Sequence, residues 1–409
     1  MARKMKDSGI EWIGEIPEGW EVSQLKYATR WKSEKGCPDA PVLSLYRDLG
    51  VVPKDSRDDN HNVTSLDTSN YKVVDVGDLV INKMKAWQGS MAVSDYRGIV
   101  SPAYHVCSIT SNKVNKRYLH HLLRNPAYLP EYARLSTGMR IGQWDLGFDD
   151  FKNIPFLIPP LDEQAKIADY LDNGCASLDV ILNKTRSSIE EYKKLKQAVI
   201  TQAVATQQCS HIKLKYLMNV IVDCPHETPT YSFTGNYYVI RTADQALASL
   251  RCDEDMYRLD ASEYKKRTRR LTLDKDDIVY GREGERWGLA CIVPESNKYC
   301  LGQRIMQFRC NTKFLYPKYA MYALNSEPVY LQGVADTIGS TSPHVNISTV
   351  CNYLLPVPAL TEQKEIVNYL DATCAEIDRL IAKKEQLVKE LDSYKKSLIY
   401  EVVTGKREV

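Results

Sequence analysis

No stretch of this chain approaches the roughly 18 consecutive apolar residues of a membrane-spanning helix. Its 11 cysteines include no CxxC pair, and it has only 7 histidines. The first absence excludes a helical membrane span. The other two leave no ligand spacing for a zinc knuckle. Cys291, Cys300 and Cys310 form the densest cysteine group, and no histidine follows them until His344. An odd number of scattered cysteines reads as reduced thiols, not as a disulfide framework. The opening stretch MARKMKDSGIEWIG has no apolar core of signal-peptide length, so a cytoplasmic protein is expected. Charge excess is missing too: 54 basic against 52 acidic residues leave a net charge of +2. Any nucleic-acid surface would have to be a local patch.

Catalytic signatures are equally scarce. GREGERWG (281–288) is glycine-rich but lacks the GK[ST] of a phosphate loop, and Thr404-Gly405-Lys406 has no glycine loop before it. NPAY (125–128) is close to the NPPY loop of amino-methyltransferases, but no FxGxG-like methyl-donor turn accompanies it. Asn-Pro directly after a helical stretch reads as a helix end. Glu191-Tyr192-Lys193 is a nuclease-like triplet on a helix, a pattern common by chance. No catalytic residue, metal ligand or cofactor site is expected in the chain.

What the chain does have is a repeat. LDEQAKIADYLD (161–172) returns as LTEQKEIVNYLD (360–371), with Glu163 and Glu362 standing 199 positions apart. The register holds without a gap from about Pro159 to Val204, with about sixteen identities. A period near 200 residues is too long for a solenoid and implies a duplicated domain pair. Each copy reads as one long helix, with Asp162 or Thr361 available as a cap. Such a helix would be roughly 60 Å long. Apolar residues recur in threes, fours and sevens, as in a helix-pairing seam: Ile167, Leu171, Leu178, Leu182, Ile189, Leu195 and Val199, then Ile366, Leu370, Ile377, Ile381, Val388, Leu391 and Leu398. Asn173-Gly174 predicts a kink in the first copy.

The segments before each helix are weakly similar. VGDLVINK (76–83) aligns with KDDIVYGR (275–282), each an acidic turn followed by an apolar strand. RYLHHLL (117–123) and KYAMYAL (318–324) read as short helices, and STGMRIGQWDL (136–146) resembles TIGSTSPHVNI (337–347) at an offset near 201. The expected fold is α/β (α+β): two globular domains of mixed β-sheet and short helices, separated by two long antiparallel coiled-coil helices, in a pseudo-two-fold repeat. The expected boundaries are 1–158, 159–206, 207–357 and 358–409.

Basic residues beside aromatics recur on matching loops. Lys83, Lys85 and Trp87 follow a strand in the first domain; Arg282, Arg286 and Trp287 take the corresponding place in the second. Arg140 and Gln143, and Ser340, Thr341 and His344, offer donors and acceptors on the next loop of each domain. Lys265, Lys266, Arg267, Arg269 and Arg270 form a basic cluster. Such groups suit phosphate anchoring and base-edge reading of duplex DNA.

In these features the chain resembles the specificity subunits of type I restriction-modification systems. The carriers are IPPLDEQAKIADYLD and PVPALTEQKEIVNYLD, the SLIYEVVTGK ending, IPEGW (16–20), VGDLVINK and IGSTSPHVNIS. The resemblance covers essentially the whole chain in order. It implies two target-recognition domains, each reading one half of a split DNA target. It implies helices that set the spacer and bind two methyltransferase subunits, with motor-nuclease subunits joining. S-adenosylmethionine, ATP and Mg2+ would then belong to the partners. TSPHVN lies closer to the family loop than GMRIGQW does. The stretch through Trp20 has no counterpart at 207–219 and is expected beside the end of the second helix. Two other readings are a stand-alone DNA adenine methyltransferase using NPAY and a coiled-coil scaffold without a DNA role.

Overall fold

The computed structural model describes residues 3–47, 49–56, 67–138, 144–205, 209–284, 286–337 and 343–409. The chain forms two compact units, residues 1–185 with 386–409 and residues 186–385. Each unit therefore holds one globular domain, the first part of the helix that follows it, and the last part of the other long helix.

In the first unit a four-stranded antiparallel sheet runs in the order Thr29–Lys32, Tyr104–Ile109, Asp78–Asn82, Met91–Val93. In the second the order is Met218–Asp223, Ile305–Cys310, Ile278–Gly281, Ala290–Ile292, again antiparallel. Both apolar strands are covered on two faces, so alternate residues enter different clusters. Leu79 and Ile81 join the main core while Val80 packs with Leu43, Val51 and Val106. Ile278 and Tyr280 join one core while Val279 packs with Ile240 and Leu301. The acid at the start of each strand is buried and structural. Asp78 accepts from Asp75 N (2.9 Å) and Lys32 Nζ (2.9 Å), and Asp277 accepts from Asp274 N (2.8 Å), Gln307 (2.7 Å) and Arg309 (2.8 Å). Mixed pairing is found in the second unit, where Tyr237–Ile240 runs antiparallel to Arg258–Leu259 and parallel to Tyr299–Leu301.

The short helices are Lys116–Leu123 and Pro317–Leu324. Each receives the start of a long helix through a repeated acid. Asp172 accepts from Arg117 Nε (2.6 Å) and faces His121 Nε2 (2.6 Å); Asp371 accepts from Lys318 Nζ (2.6 Å) and the Tyr322 hydroxyl (2.9 Å). The hydrogen bond to His121, aided by Arg117, holds the Asp172 carboxyl down at about 2.

The long helices span Leu161–Val204 and Leu360–Val403. The first continues unbroken through Asn173-Gly174, contrary to the expected kink. Gly174 faces Leu398, with room for a Cβ 3.7 Å from its Cδ2, so nothing there disturbs the helix. In the first unit Gly174 meets Leu398 and Asp179 pairs with Lys395 (2.6 Å), so these helix segments run antiparallel. In the second unit Tyr192 lies against Lys384 and Lys196 pairs with Asp378 (2.8 Å), again antiparallel. Ile167, Leu171, Leu178, Leu182, Ile189, Leu370, Ile377 and Leu398 are buried, while Val199, Ile366, Ile381, Val388 and Leu391 are half-buried. Leu195, placed on the seam by spacing, is exposed; its neighbour Lys196 is the buried residue of that turn. Two full turns cover 7.2 residues, so a seven-residue spacing drifts around a straight helix.

The N-terminal stretch packs with the end of the second helix inside the first unit. Lys406 Nζ donates to Ile13 O (3.1 Å), and Ile13, Ile16 and Trp20 share a core cluster with Val402 and Val403. Trp20 Nε1 and Arg3 both donate to Glu163 (3.0 and 2.9 Å).

Acid should loosen this unit. His120 accepts from Val93 N–H at Nδ1 (3.3 Å) and lies beside Arg124 (3.0 Å). Burial, then the neighbouring Arg124, push its imidazole down to about 3 from an ordinary 6.5. It is neutral in the fold but protonates in the unfolded chain below about 6.5. Its contribution is therefore full above pH 6.5 and is lost as pH falls toward 3, by up to about 1.4 kcal/mol per pH unit. Urea unfolding at pH 7 and pH 5 should show this slope reduced in a His120→Gln variant. An unchanged slope would remove His120 as its source.

Candidate nucleic-acid interface

The two loops singled out in each domain meet at the same end of the same strand. In the first domain Leu146 N–H donates to Lys83 O (3.0 Å), Lys83 Nζ pairs with Asp145 (2.8 Å), and Trp87 lies edge-on to Trp144 with centroids 5.1 Å apart. His105 Nε2 must carry a proton to reach Leu146 O (3.1 Å), which pins this loop to the sheet. In the second domain Val345 N–H donates to Arg282 O (3.2 Å), Gly284 N–H donates to Pro343 O (2.9 Å), and Glu283 bridges to His344. The matching backbone bonds thus make Leu146 the equivalent of Val345, at an offset of 199 and not the 201 read from the loop sequences. Asp145 then corresponds to His344, so the charges at equivalent places differ.

Several expected contacts do not face solvent. Arg267 is only 7% exposed, because Leu301 O (3.0 Å), Glu227 O (2.9 Å) and Pro225 O (3.4 Å) take its guanidinium. Arg282 is buried, donating to Val345 O (3.2 Å) and Glu283 (2.5 Å), with Asp223 3.5 Å away. Trp287 is a core residue stacked on Tyr330 at 4.4 Å. The constant offset of 199 equates Trp87 with Arg286 and Gln88 with Trp287. The two tryptophans are therefore one position out of step and point differently. Arg286 is exposed but donates to Ala243 O (2.8 Å) and Gln245 O (3.2 Å).

The side chains left for a polyanion are Lys85, Lys265, Lys266, Arg269 and Arg270, all exposed, with Lys266 3.1 Å from Glu227. Lys83, Trp87 and His344 are half-buried. Arg140, Gln143, Ser340 and Thr341 lie outside the described residues. Sequence reading missed His226, whose side chain is 69% exposed next to Asp223 (3.1 Å). Asp223, Cys224 and His226 are, among the described residues, the one group with ligand atoms within 4.8 Å of one another. Arg282 beside Asp223 opposes a cation there, and burial pushes the Cys224 thiol up, away from the thiolate a metal needs.

NPAY is structural. Asn125 is fully buried and accepts from Ala127 N–H (3.0 Å), while Tyr128 lies in the core against Trp12 at 4.5 Å. Neither side chain is open to a substrate.

A family model, the type I restriction modification DNA specificity domain, matches residues 17–191 and again 224–390. The chain belongs to this family. It is a type I restriction enzyme specificity subunit with two DNA-recognition domains. Similar proteins include the putative type I restriction enzyme MjaX specificity subunit of Methanocaldococcus jannaschii, 21% identical over 97% of this chain and 96% of that protein. The MjaVIII specificity subunit of the same organism is 22% identical, over 96% and 94%. The EcoBI specificity subunit of Escherichia coli is 28% identical over 32% of this chain and 27% of its own. In fold the specificity subunit is similar to a chain from a structural study of assembly and conformational transition of the type I R-M system. That match has a TM-score of 0.69 and 16% identity, covering 96% of this chain and 99% of the other. It is also similar to the HsdS subunit from Thermoanaerobacter tengcongensis, with a TM-score of 0.50, 15% identity, and coverage of 96% and 98%. No helix of the described residues is long and apolar enough to cross a membrane.

Proposed function

We propose that residues 1–158 and 207–357 are target-recognition domains that each read one half of a bipartite duplex DNA target, in roughly inverted orientation. Residues 159–206 and 358–409 are the spacer helices. Two methyltransferase subunits dock on helix faces and adjacent domain surfaces, and motor-nuclease subunits join that complex. The chain contributes recognition, while S-adenosylmethionine, ATP and Mg2+ act in the partners. One observation carries the reading: two loops converge at the same sheet end in both units while the residues they present there differ. A repeated scaffold with divergent tips suits two half-sites of different sequence. The buried NPAY disfavours the stand-alone methyltransferase, and the divergent, cation-bearing tips disfavour a plain scaffold.

A base-resolution methylation map, made in cells with the cognate methyltransferase subunit and with or without this chain, tests the reading. A split motif of fixed spacer that appears only with the chain is the expected result. A motif unchanged without it would overturn the proposal. Exchanging residues 1–158 should alter one half-site only.

Phosphate contacts should dominate affinity. Neutralising Lys265, Lys266, Arg269 and Arg270 together is expected to weaken binding at all sequences alike. The slope of log affinity against log salt should fall by up to about 3 to 4. Salt-titrated DNA binding by the assembled complex measures this, and an unchanged slope would place the phosphate track elsewhere. Arg267→Met should act differently, lowering the unfolding midpoint of the second domain, because it strips the cation that holds three carbonyls.

A further inference from the structure

Four described residues other than glycine have a left-handed backbone: Ala248, Asp276, Asn297 and Arg304. The first three sit in turns, and Asp and Asn tolerate this conformation well. Arg304, at φ 69°, does not fit that pattern. It immediately precedes the central strand Ile305–Cys310 of the second domain, at the end where the two loops converge. Neighbouring segments impose the strained backbone. Arg304 N–H donates to Cys224 Sγ (3.1 Å), and Arg304 O accepts from Arg282 N–H (2.9 Å). Gln303 reaches His226 O (3.4 Å) and the Thr228 hydroxyl (3.3 Å). Strain held in place by surrounding structure is a mark of functional positions.

The side chain is placed for a ligand and not for the fold. It is 53% exposed, and its nearest carboxylate, Glu283, is 4.0 Å from Nε. Its Nη1 lies over Gly284, 3.5 Å from where a Cβ would stand. Arg267, Arg282 and Arg286, by contrast, all give donors to backbone carbonyls. Glu283 and Asp223 make this spot poor for a phosphate but acceptable for a base edge, where donors and acceptors alternate. The corresponding residue before the central strand of the first domain is Ala103, which carries no such group.

We propose that Arg304 is a sequence-reading residue of the second domain, its guanidinium donating to N7 and O6 of one guanine in the major groove. The inference rests on the reading that this domain binds DNA through the loop end of its sheet.

Arg304→Gly and Arg304→Asn test it, since both residues accept the left-handed backbone and leave the strand start intact. Methylation motifs would be mapped for the complete complex with each variant. For a variant that no longer methylates, the bound motif would be selected from random DNA with the purified complex. The expected result is one guanine position in one half-site becoming degenerate, with preference there falling about 10- to 100-fold. The rest of that half-site, the other half-site and the spacer should stay as they are. Full preference at every position in both variants would overturn the proposal. So would a uniform loss across the half-site, which would mark a phosphate contact. Failure of the wider reading looks different: the unaltered chain would then direct no split motif at all.

Discussion

Replacing Gln363 by alanine is expected to destabilise the second unit by about 3 to 5 kcal/mol, among the largest effects a single side chain here can have. The glutamine of the repeated Glu-Gln pair is fully buried at both sites. Gln363 Nε2 donates to Pro358 O (2.9 Å) and Phe314 O (2.9 Å), and its Oε1 accepts from Tyr316 N–H (2.8 Å). Gln164 makes the same three bonds: to Pro159 O (2.7 Å), to Lys113 O (2.9 Å), and from Asn115 N–H (2.7 Å). Each amide ties the strand-to-helix corner to the loop before a short helix. Truncation strands two carbonyls and one N–H away from water, and an unsatisfied buried group costs about 1 to 3 kcal/mol. Gln164→Ala should do the same to the first unit. Exposed Glu362→Ala is the control and should stay within about 0.5 kcal/mol of the parent. Guanidinium unfolding followed in each unit decides it. A Gln363→Ala curve that overlays Glu362→Ala would sink the account.

The second large effect concerns two ion pairs that are equivalent in sequence but not in setting. Lys196 and Lys395 stand 199 apart, as do their partners Asp378 and Asp179. Lys196 is 6% exposed and also donates to Leu247 O (2.9 Å), whereas Lys395 is 24% exposed. Lys196→Met is expected to cost about 2 to 3 kcal/mol, since it leaves a carbonyl and a carboxylate without their cation. Asp378 is half exposed and can regain water, which keeps the loss below that of a fully buried pair. Lys395→Met should cost less than about 1 kcal/mol. Double-mutant cycles with Asp378→Asn and Asp179→Asn would measure both couplings. Equal couplings would mean that burial does not decide the difference.

These two cases show where sequence reading works. The repeat announced that Glu163-Gln164 and Glu362-Gln363 matter, because identity in register survives where a shared contact demands it. It could not say which residue of the pair is structural. Glu163 meets Trp20 and Arg3, while Glu362 is exposed, so the contact common to both copies belongs to the glutamine. Helices and the strand cores were legible because periodicity is a local property of the chain, whereas Asp162 and Thr361, read as caps, lie inside the first turns of helices that begin at Leu161 and Leu360. Pro159-Pro160 separate the strand that ends at Ile158 from the helix that begins at Leu161.

The charged surface was less legible. Spacing cannot tell an arginine that faces water from one that folds back onto carbonyls. Arg267 and Arg282 belong to the second kind, and Arg304, which looks ordinary in GQRIMQF, belongs to the first. Trp287 was misassigned by a one-residue slip, enough to turn a side chain from the loop surface into the core.

By itself the sequence determined the duplicated plan, the two long helices, the buried strands that precede them and the family, because these rest on local periodicity and on a repeat in constant register. Only the tertiary structure decided which cations remain free, that Lys196 and not Leu195 is buried, and that Gln164 and Gln363 lock their corners. Those outcomes depend on partners distant along the chain, as Gln164 reaches Lys113, Gln363 reaches Phe314 and Lys196 reaches Asp378. No pattern along the chain encodes the direction in which a long side chain turns.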